Sequence, residues 1–214
     1  MSTTRVNVLV TDDHMLFRRG TMKLLETFSV VDQIDEAENG QVALKILGEK
    51  HIDIVLLDLD MPVMDGWETS RKIVSKYPNT YIIMVSMHDD LKIISDLIEI
   101  GVHGYLLKNS DPAEIKTAIH SILNHQFYYN QLVSKALHRK VKEVFPIKKS
   151  SLTKREVEIV QLICEEMTMK EISEKLFLSE QTIHTHRKNL MRKIEAKNSV
   201  SIVCFALQNG IISL

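Results

Sequence analysis

An α/β domain followed by a small all-helical unit is what this chain predicts, and three observations carry that expectation. Through residue 125, short β-branched runs alternate with amphipathic stretches. From Leu152 onward the strand-like runs stop, and short helices joined by tight turns take over. Between the two, residues 126–150 break both patterns with Pro146 and a basic Lys148-Lys149-Ser150 stretch. At 214 residues there is room for two ordinary domains, each able to bury its own core. The domains are expected at 1–125 and 151–214, with a linker over 126–150 that carries one docking helix.

Within the first part, strands are expected at Val6–Val10, Ile34–Ala37, Ile52–Leu57, Tyr81–Val85 and Gly104–Leu107. Helices are expected near 14–27, 40–49, 66–76, 89–100 and 111–124. Asp111-Pro112 reads as an N-cap followed by a first helical residue, and Gly101 as the left-handed residue that ends a helix. Five βα units in regular alternation imply a doubly wound parallel sheet with ligands beyond the carboxyl ends of its strands.

In the second part, three helix starts share one grammar: an apolar residue, a Ser or Thr cap, then an apolar residue four positions after the cap. They are Leu152-Thr153…Val157, Met167-Thr168…Ile172 and Leu178-Ser179…Ile183. Glu156 and Glu171 complete capping boxes in the first two. A fourth helix, roughly Ser199 to Leu207, closes the unit. It offers Val200, Val203, Cys204 and Leu207, more apolar surface than a small core needs.

Charge separates the parts. Residues 1–125 carry 12 Lys and Arg against 19 Asp and Glu, residues 126–150 carry 6 against 1, and residues 151–214 carry 9 against 8. The acidic first part argues against nucleic-acid contact there and leaves a local basic face in the last part open. Cys164 and Cys204 sit in helix-like apolar settings without ligand spacing, so free buried thiols are expected. No apolar run approaches the ~18 residues of a membrane span, and the start of the chain lacks a signal-peptide core. The expected location is cytoplasmic, with no membrane partner. No Gly-rich phosphate loop or nucleophile elbow is present, so a metabolic enzyme is not expected.

The chemistry gathers at strand ends. Asp58 ends the run Ile54-Val55-Leu56-Leu57 and enters a Pro/Gly turn, while Asp12-Asp13 end another strand. Carboxylates brought together this way repel one another unless a divalent cation sits among them. Asp13 and Asp58 can ligate Mg2+ directly, Asp12 through water, and Asp60 through its backbone carbonyl. Ser86 ends the fourth strand and Lys108 follows the fifth, placing a hydroxyl and a cation at the same edge. Phosphoryl transfer to a carboxylate needs this set: an acceptor, a metal, and groups that neutralise the remaining oxygens.

Thr11-Asp12-Asp13, Asp58-Leu59-Asp60-Met61-Pro62-Val63-Met64-Asp65-Gly66, Val85-Ser86 and Gly104-Tyr105-Leu106-Leu107-Lys108 together resemble the receiver domain of bacterial two-component response regulators. The resemblance implies a histidine kinase as phosphoryl donor, Asp58 as acceptor in a Mg2+-dependent step that the receiver itself catalyses, and a switch in which Ser86 turns to the phosphoryl group while Tyr105 moves inward.

In the last part, Ile183, Leu190, Met191 and Ile194 give the helix after Ser179 an inward stripe, with His186 on the same side. Gln181, His184, Thr185, Lys188 and Arg192 form the opposite polar face, the layout of a helix-turn-helix recognition helix. Leu152-Thr153-Lys154-Arg155-Glu156, Lys170-Glu171-Ile172, Leu176-Phe177-Leu178-Ser179 and Thr182-Ile183…His186-Arg187 resemble the LuxR-type helix-turn-helix, which places the whole chain with NarL/FixJ-class regulators. That resemblance implies His184, Thr185 and Lys188 facing the groove of an operator DNA, Arg187 and Arg192 on phosphates, and a homodimer when active. RNA polymerase is a further partner it brings into view. The chain departs from the family pattern at His184, where many relatives carry Lys or Arg, and at Glu166 and Met169 around the first turn.

Overall fold

The computed structural model describes residues 5–125, 127–128, 130–136, 152–165, 167–196 and 199–212. Five strands, β1 (Val6–Thr11), β2 (Val31–Ala37), β3 (Ile54–Leu57), β4 (Tyr81–Ser86) and β5 (Gly104–Leu107), form one parallel sheet in the order β2-β1-β3-β4-β5. Five helices alternate with them: α1 (Met15–Leu25), α2 (Gly40–Glu49), α3 (Gly66–Lys76), α4 (Leu91–Ile100) and α5 (Pro112–His125). Strand side chains alternate between faces. Val8, Val10, Ile54, Leu56, Ile83 and Val85 pack with Leu25, Ile115, Ile119 and Ile122 of α1 and α5. Leu9, Val55, Leu57, Ile82 and Met84 face Ala43, Leu47, Ile73, Ile94 and Leu97 of α2, α3 and α4. Because both faces are covered, the central strand β3 is apolar throughout.

Local chemistry fixes where the turns go. Asn39, Asp65 and Asp90 each cap the following helix, and Gly101 ends α4 at φ 116°. At Gly66 a β-carbon would lie 2.3 Å from the Asp58 carbonyl oxygen and 2.8 Å from the Leu59 α-carbon. Only glycine lets the turn after β3 close this tightly under the acceptor strand.

The expected linker is docked over its described part. The Tyr128 N–H donates to the His103 carbonyl at 2.7 Å, and its hydroxyl to Glu114 at 2.8 Å. Asn130 donates to the Tyr105 carbonyl at 3.0 Å and caps a helical stretch, α6, over residues 131–136. Phe127, Val133 and Ala136 are buried. Pro146 and the basic stretch beside it lie outside the described residues.

The second unit has four helices: α7 (Lys154–Cys164), α8 (Met169–Lys175), α9 (Glu180–Lys193) and α10 (Ser199–Gln208). Both capping boxes form, with Thr153 and Glu156 on α7 and Thr168 and Glu171 on α8. Ile159, Ile163, Ile172, Ile183, Leu190 and Ile202 fill its core. That core runs on without a break into the α4 face of the first domain, where α10 packs against α4. Glu156 is buried and bridges to Lys193 at 2.7 Å, pinning α7 to the end of α9. Met169 opens α8 without distortion, whereas Glu166 lies outside the described residues. The Cys164 thiol is free and pushed by burial up to about 12, an inert group; the Cys204 side chain lies outside the described residues. No described helix is long and apolar enough to cross a membrane.

Candidate functional site

The sheet order reverses between β1 and β3, and the crevice beyond their carboxyl ends is where such folds bind ligands. There, Asp12 and Asp58 are 2% and 3% exposed, carboxylates almost withdrawn from water, while Asp13 faces out. The Lys108 ammonium reaches over from the end of β5 to lie 2.8 Å from both Asp12 Oδ2 and Asp58 Oδ2. Burial alone pulls Lys108 down, but its bonds to the two carboxylates outweigh that, so it stays a cation. Burial pushes the Asp58 carboxyl above its ordinary value, with the Asp12 charge adding to it; Lys108 and the Leu59 N–H offset only part of this. The phenyl ring of Phe17 sits 4.9 Å from the Lys108 ammonium and covers it.

Donor chemistry tests the metal. Oxygens of Asp12, Asp13 and Asp58 lie within 4.8 Å of one another, together with a ring nitrogen of His14. Hard carboxylate oxygens at an open rim suit Mg2+, which keeps some of its waters. The residues fit the ion. At present His14 Nδ1 occupies Asp13 at 2.7 Å. The Asp60 carboxylate is turned to His88 Nε2 at 2.6 Å.

Ser86 is fully buried and accepts from the His88 N–H at 3.2 Å. Tyr105 is also fully buried, its hydroxyl donating to the His88 carbonyl at 2.7 Å. Burial raises that hydroxyl to about 12, so it remains a donor. Tyr105 thus already occupies an inward position. Asp12, Asp13, Asp58 and Lys108 meet where sequence reasoning expects them, and Ser86 lies at the same sheet edge, its carbonyl accepting from the Lys108 N–H at 2.8 Å. His14, Phe17 and His88 were missed: a histidine in a polar turn and an aromatic on an amphipathic helix give no sign of where they point.

On α9, His184, Thr185, Lys188 and Arg192 are exposed on one side, and His186 is half-buried. Arg187 departs from its expected phosphate-facing position. Its Nη2 donates to Ser199 at 3.0 Å, and its Nε is buried without a hydrogen-bond partner. Burial lowers its basicity, and its charge reaches His103 and Tyr81 of the receiver. Arg187 lies four residues after the buried Ile183, on the side of α9 that meets the start of α10.

A doubly wound sheet with a buried carboxylate–lysine cluster, joined to a capped helix-turn-helix, defines a phosphorylation-dependent transcription regulator. Residues 8–120 match the family described as response regulator receiver domain, and residues 150–206 match bacterial regulatory proteins of the luxR family. The chain is 30% identical to the response regulator UvrY of Escherichia coli K12 over 96% of its length and 95% of that protein's. It is 32% identical to the nitrate/nitrite response regulator protein NarP of Escherichia coli K12, covering 96% of each. Among solved structures, a complex of the two-component response regulator RcsB with DNA superposes at a TM-score of 0.59, with 25% identity over 93% of this chain and 96% of that one. The chain belongs to the NarL/FixJ class of two-component response regulators.

Proposed function

We propose that Asp58 accepts a phosphoryl group from a cognate histidine kinase in a Mg2+-dependent step, and that the phosphorylated chain binds operator DNA as a homodimer. The observation that carries this reading is the Lys108 ammonium shared at 2.8 Å between Asp12 and Asp58. An Asp58 oxygen attacks the phosphorus of a phosphohistidine, the P–N bond breaks, and the imidazole leaves with the electron pair and takes up a proton. Mg2+, held by Asp13 and Asp58 with Asp12 through water and the Asp60 carbonyl, neutralises phosphoryl oxygens when bound. Lys108 moves from the carboxylates to a phosphoryl oxygen, the Ser86 hydroxyl donates to another, and Tyr105 holds the turn after β4 inward.

The output lies in residues 151–214, connected through 126–150 to the receiver of residues 1–125. His184, Thr185 and Lys188 face the major groove and Arg192 a phosphate. Arg187 joins them once phosphorylation loosens the helical unit from the receiver. With a small net positive charge on that unit, affinity is modest and salt-sensitive. The protein works in the cytoplasm, and RNA polymerase is the machinery its bound form addresses.

Incubation with acetyl phosphate and Mg2+ is expected to add the mass of one phosphoryl group to the chain and none to Asp58→Ala. Phosphorylated protein is expected to enrich one motif from double-stranded genomic fragments. A mass gain that survives Asp58→Ala, or enrichment indifferent to phosphorylation, overturns the reading.

A further inference from the structure

His14 stands where a helix wants a cap and does not supply one. It is the N-cap residue of α1, its backbone extended at φ −80° and ψ 98°, yet its side chain makes no hydrogen bond to the helix start. Ser, Thr, Asp and Asn serve best there, because a short side-chain oxygen reaches the free N–H groups. The His14 ring turns instead to the carboxylates. Its Nδ1 lies 2.7 Å from Asp13 Oδ1 and 3.4 Å from Asp12 Oδ1, and its backbone N–H donates to that same Asp12 oxygen at 2.8 Å.

One ring nitrogen of His14 and one oxygen from each of Asp12, Asp13 and Asp58 lie within 4.8 Å of one another. A carboxylate only accepts, so Nδ1 carries the proton in this arrangement. The other neutral tautomer holds the proton on Nε2 and leaves the Nδ1 lone pair free for a cation among the carboxylates. The His14 side chain is 69% exposed, so that exchange breaks no buried contact. Mg2+ gains little from such a donor, being a hard ion that takes oxygen and keeps its waters. Late first-row divalent ions differ, since imidazole suits them and their affinities rise along the row from Mn2+ toward Cu2+. The same three carboxylates thus belong to two donor sets, one all oxygen and one that includes a nitrogen.

We propose that His14 is a metal ligand through Nδ1, and that it gives this site a preference for late first-row divalent ions such as Co2+ and Zn2+ which the carboxylates alone would not give. This rests on the reading of Asp12, Asp13 and Asp58 as a cation site. The backbone around His14 is already fixed. Arg18 Nη1 donates to the Asp12 carbonyl at 2.6 Å, and the Arg18 N–H to the His14 carbonyl at 3.0 Å. Only the ring has to move, and it starts beside Asp13. A late divalent ion held this way competes with Mg2+ for the phosphoryl site, and His14 sets the ratio.

The test uses the full, unphosphorylated chain titrated with Co2+ alone and, separately, with Mg2+ alone, binding being followed by calorimetry. His14→Ala is expected to weaken Co2+ by about 10- to 100-fold, the scale at which groups around a bound metal count. Mg2+ affinity is expected to stay within about twofold in that variant, since nitrogen adds little for a hard ion. Co2+ is also expected to give strongly shifted imidazole proton resonances in wild type that His14→Ala removes. Asp13→Ala is expected to weaken both ions, which locates them at this site. A His14→Ala variant that loses both ions alike, as a merely structural role would give, overturns the proposal, and so does one whose Co2+ affinity or shifted resonances are unchanged. Wild type that binds neither ion, or binds both indifferently to Asp13→Ala, would instead sink the cation site on which the inference rests.

Discussion

The receiver and the helical unit solve opposite problems with the same kinds of residue. In the receiver, Asp12, Asp58 and Ser86 are buried at strand ends, the two carboxylates bridged by the Lys108 ammonium and Ser86 bonded to the turn after β4. In the helical unit the polar residues of α9 face outward, and the bonded ones, Glu156 with Lys193 and the two capping boxes, lie behind them as scaffold. Chemistry needs fixed positions, whereas recognition needs presentation. A lesion in the receiver site should therefore strike reaction before fold, and a lesion behind α9 should strike fold before recognition.

Removing core from the helical unit gives the largest expected effect. Ile183 is fully buried, and Ile183→Ala is expected to destabilise that unit by about 2–4 kcal/mol. Hydrogen exchange should report lost protection from α7 to α10, while phosphoryl uptake at Asp58 persists. If uptake falls in step with protection, the two regions are one cooperative block and the contrast fails.

Acid should act where the regions meet. Burial, aided by the Arg187 charge, lowers the His103 imidazole from 6.5 to about 4. Its Nδ1 accepts from the Ile82 N–H at 3.1 Å, a bond that protonation removes. The folded pKa is depressed, so the unfolded chain binds the extra proton below pH 6.5, and stability falls as pH drops from there toward 4. At pH 5 the loss amounts to roughly 2 kcal/mol. Melting temperatures between pH 6.5 and 5 measure it, and His103→Asn, which keeps an acceptor without titrating, should flatten the slope. A slope unchanged in that variant assigns it to another group.

Next in size is Lys193→Ala. Glu156 is pushed up by burial, but Lys193 and Thr153 outweigh that and hold its carboxyl below the usual range. Losing Lys193 leaves a buried carboxylate with its cap contacts alone. Because Lys193 is 40% exposed, the cost is discounted to about 1–2 kcal/mol. The stabilisation is present above the ordinary carboxyl value and lost as pH falls below it, so wild type and variant should converge in acid.

How much could be read in advance follows the same divide. All five strands, the meeting of Asp12, Asp13, Asp58 and Lys108, and Ser86 at the same edge were legible because strand ends in a parallel sheet share one edge whatever the side chains do. Helix starts at Thr153, Thr168 and Ser179 were legible because a cap acts within four residues. β2 begins at Val31 rather than Ile34, since its exposed Asp32 and Gln33 hide an edge strand's alternation. The inward position Arg187 takes here was not legible, for a different reason. Helical spacing puts it one step from the polar face, and only the docking of α10 and the receiver decides that it turns inward. His88 was invisible because its importance lies in two backbone groups, which any residue would offer, and one ring contact across 28 positions of chain.

The smallest expected effect sets the same lesion in both regions. Thr168 caps α8, a helix of only 7 residues with Ile172 and Ser173 buried, while Asp65 caps α3, 11 residues long with Thr69, Ser70 and Ile73 buried. Either cap changed to Ala removes one side-chain acceptor from a helix start, worth about 1 kcal/mol. The consequences should differ. α3 is held by packing against α2 and α4, with Ile73 in the core, so Asp65→Ala should fray its first turn and leave the remainder protected. α8 has two turns, and the Thr168–Glu171 box organises the first of them, so Thr168→Ala should raise exchange throughout α8 and into the turn before α9. Thr168→Ser, which keeps the hydroxyl, should restore protection. Equal and purely local fraying in both variants would mean that packing against α9, rather than the cap, is what keeps the short helix formed.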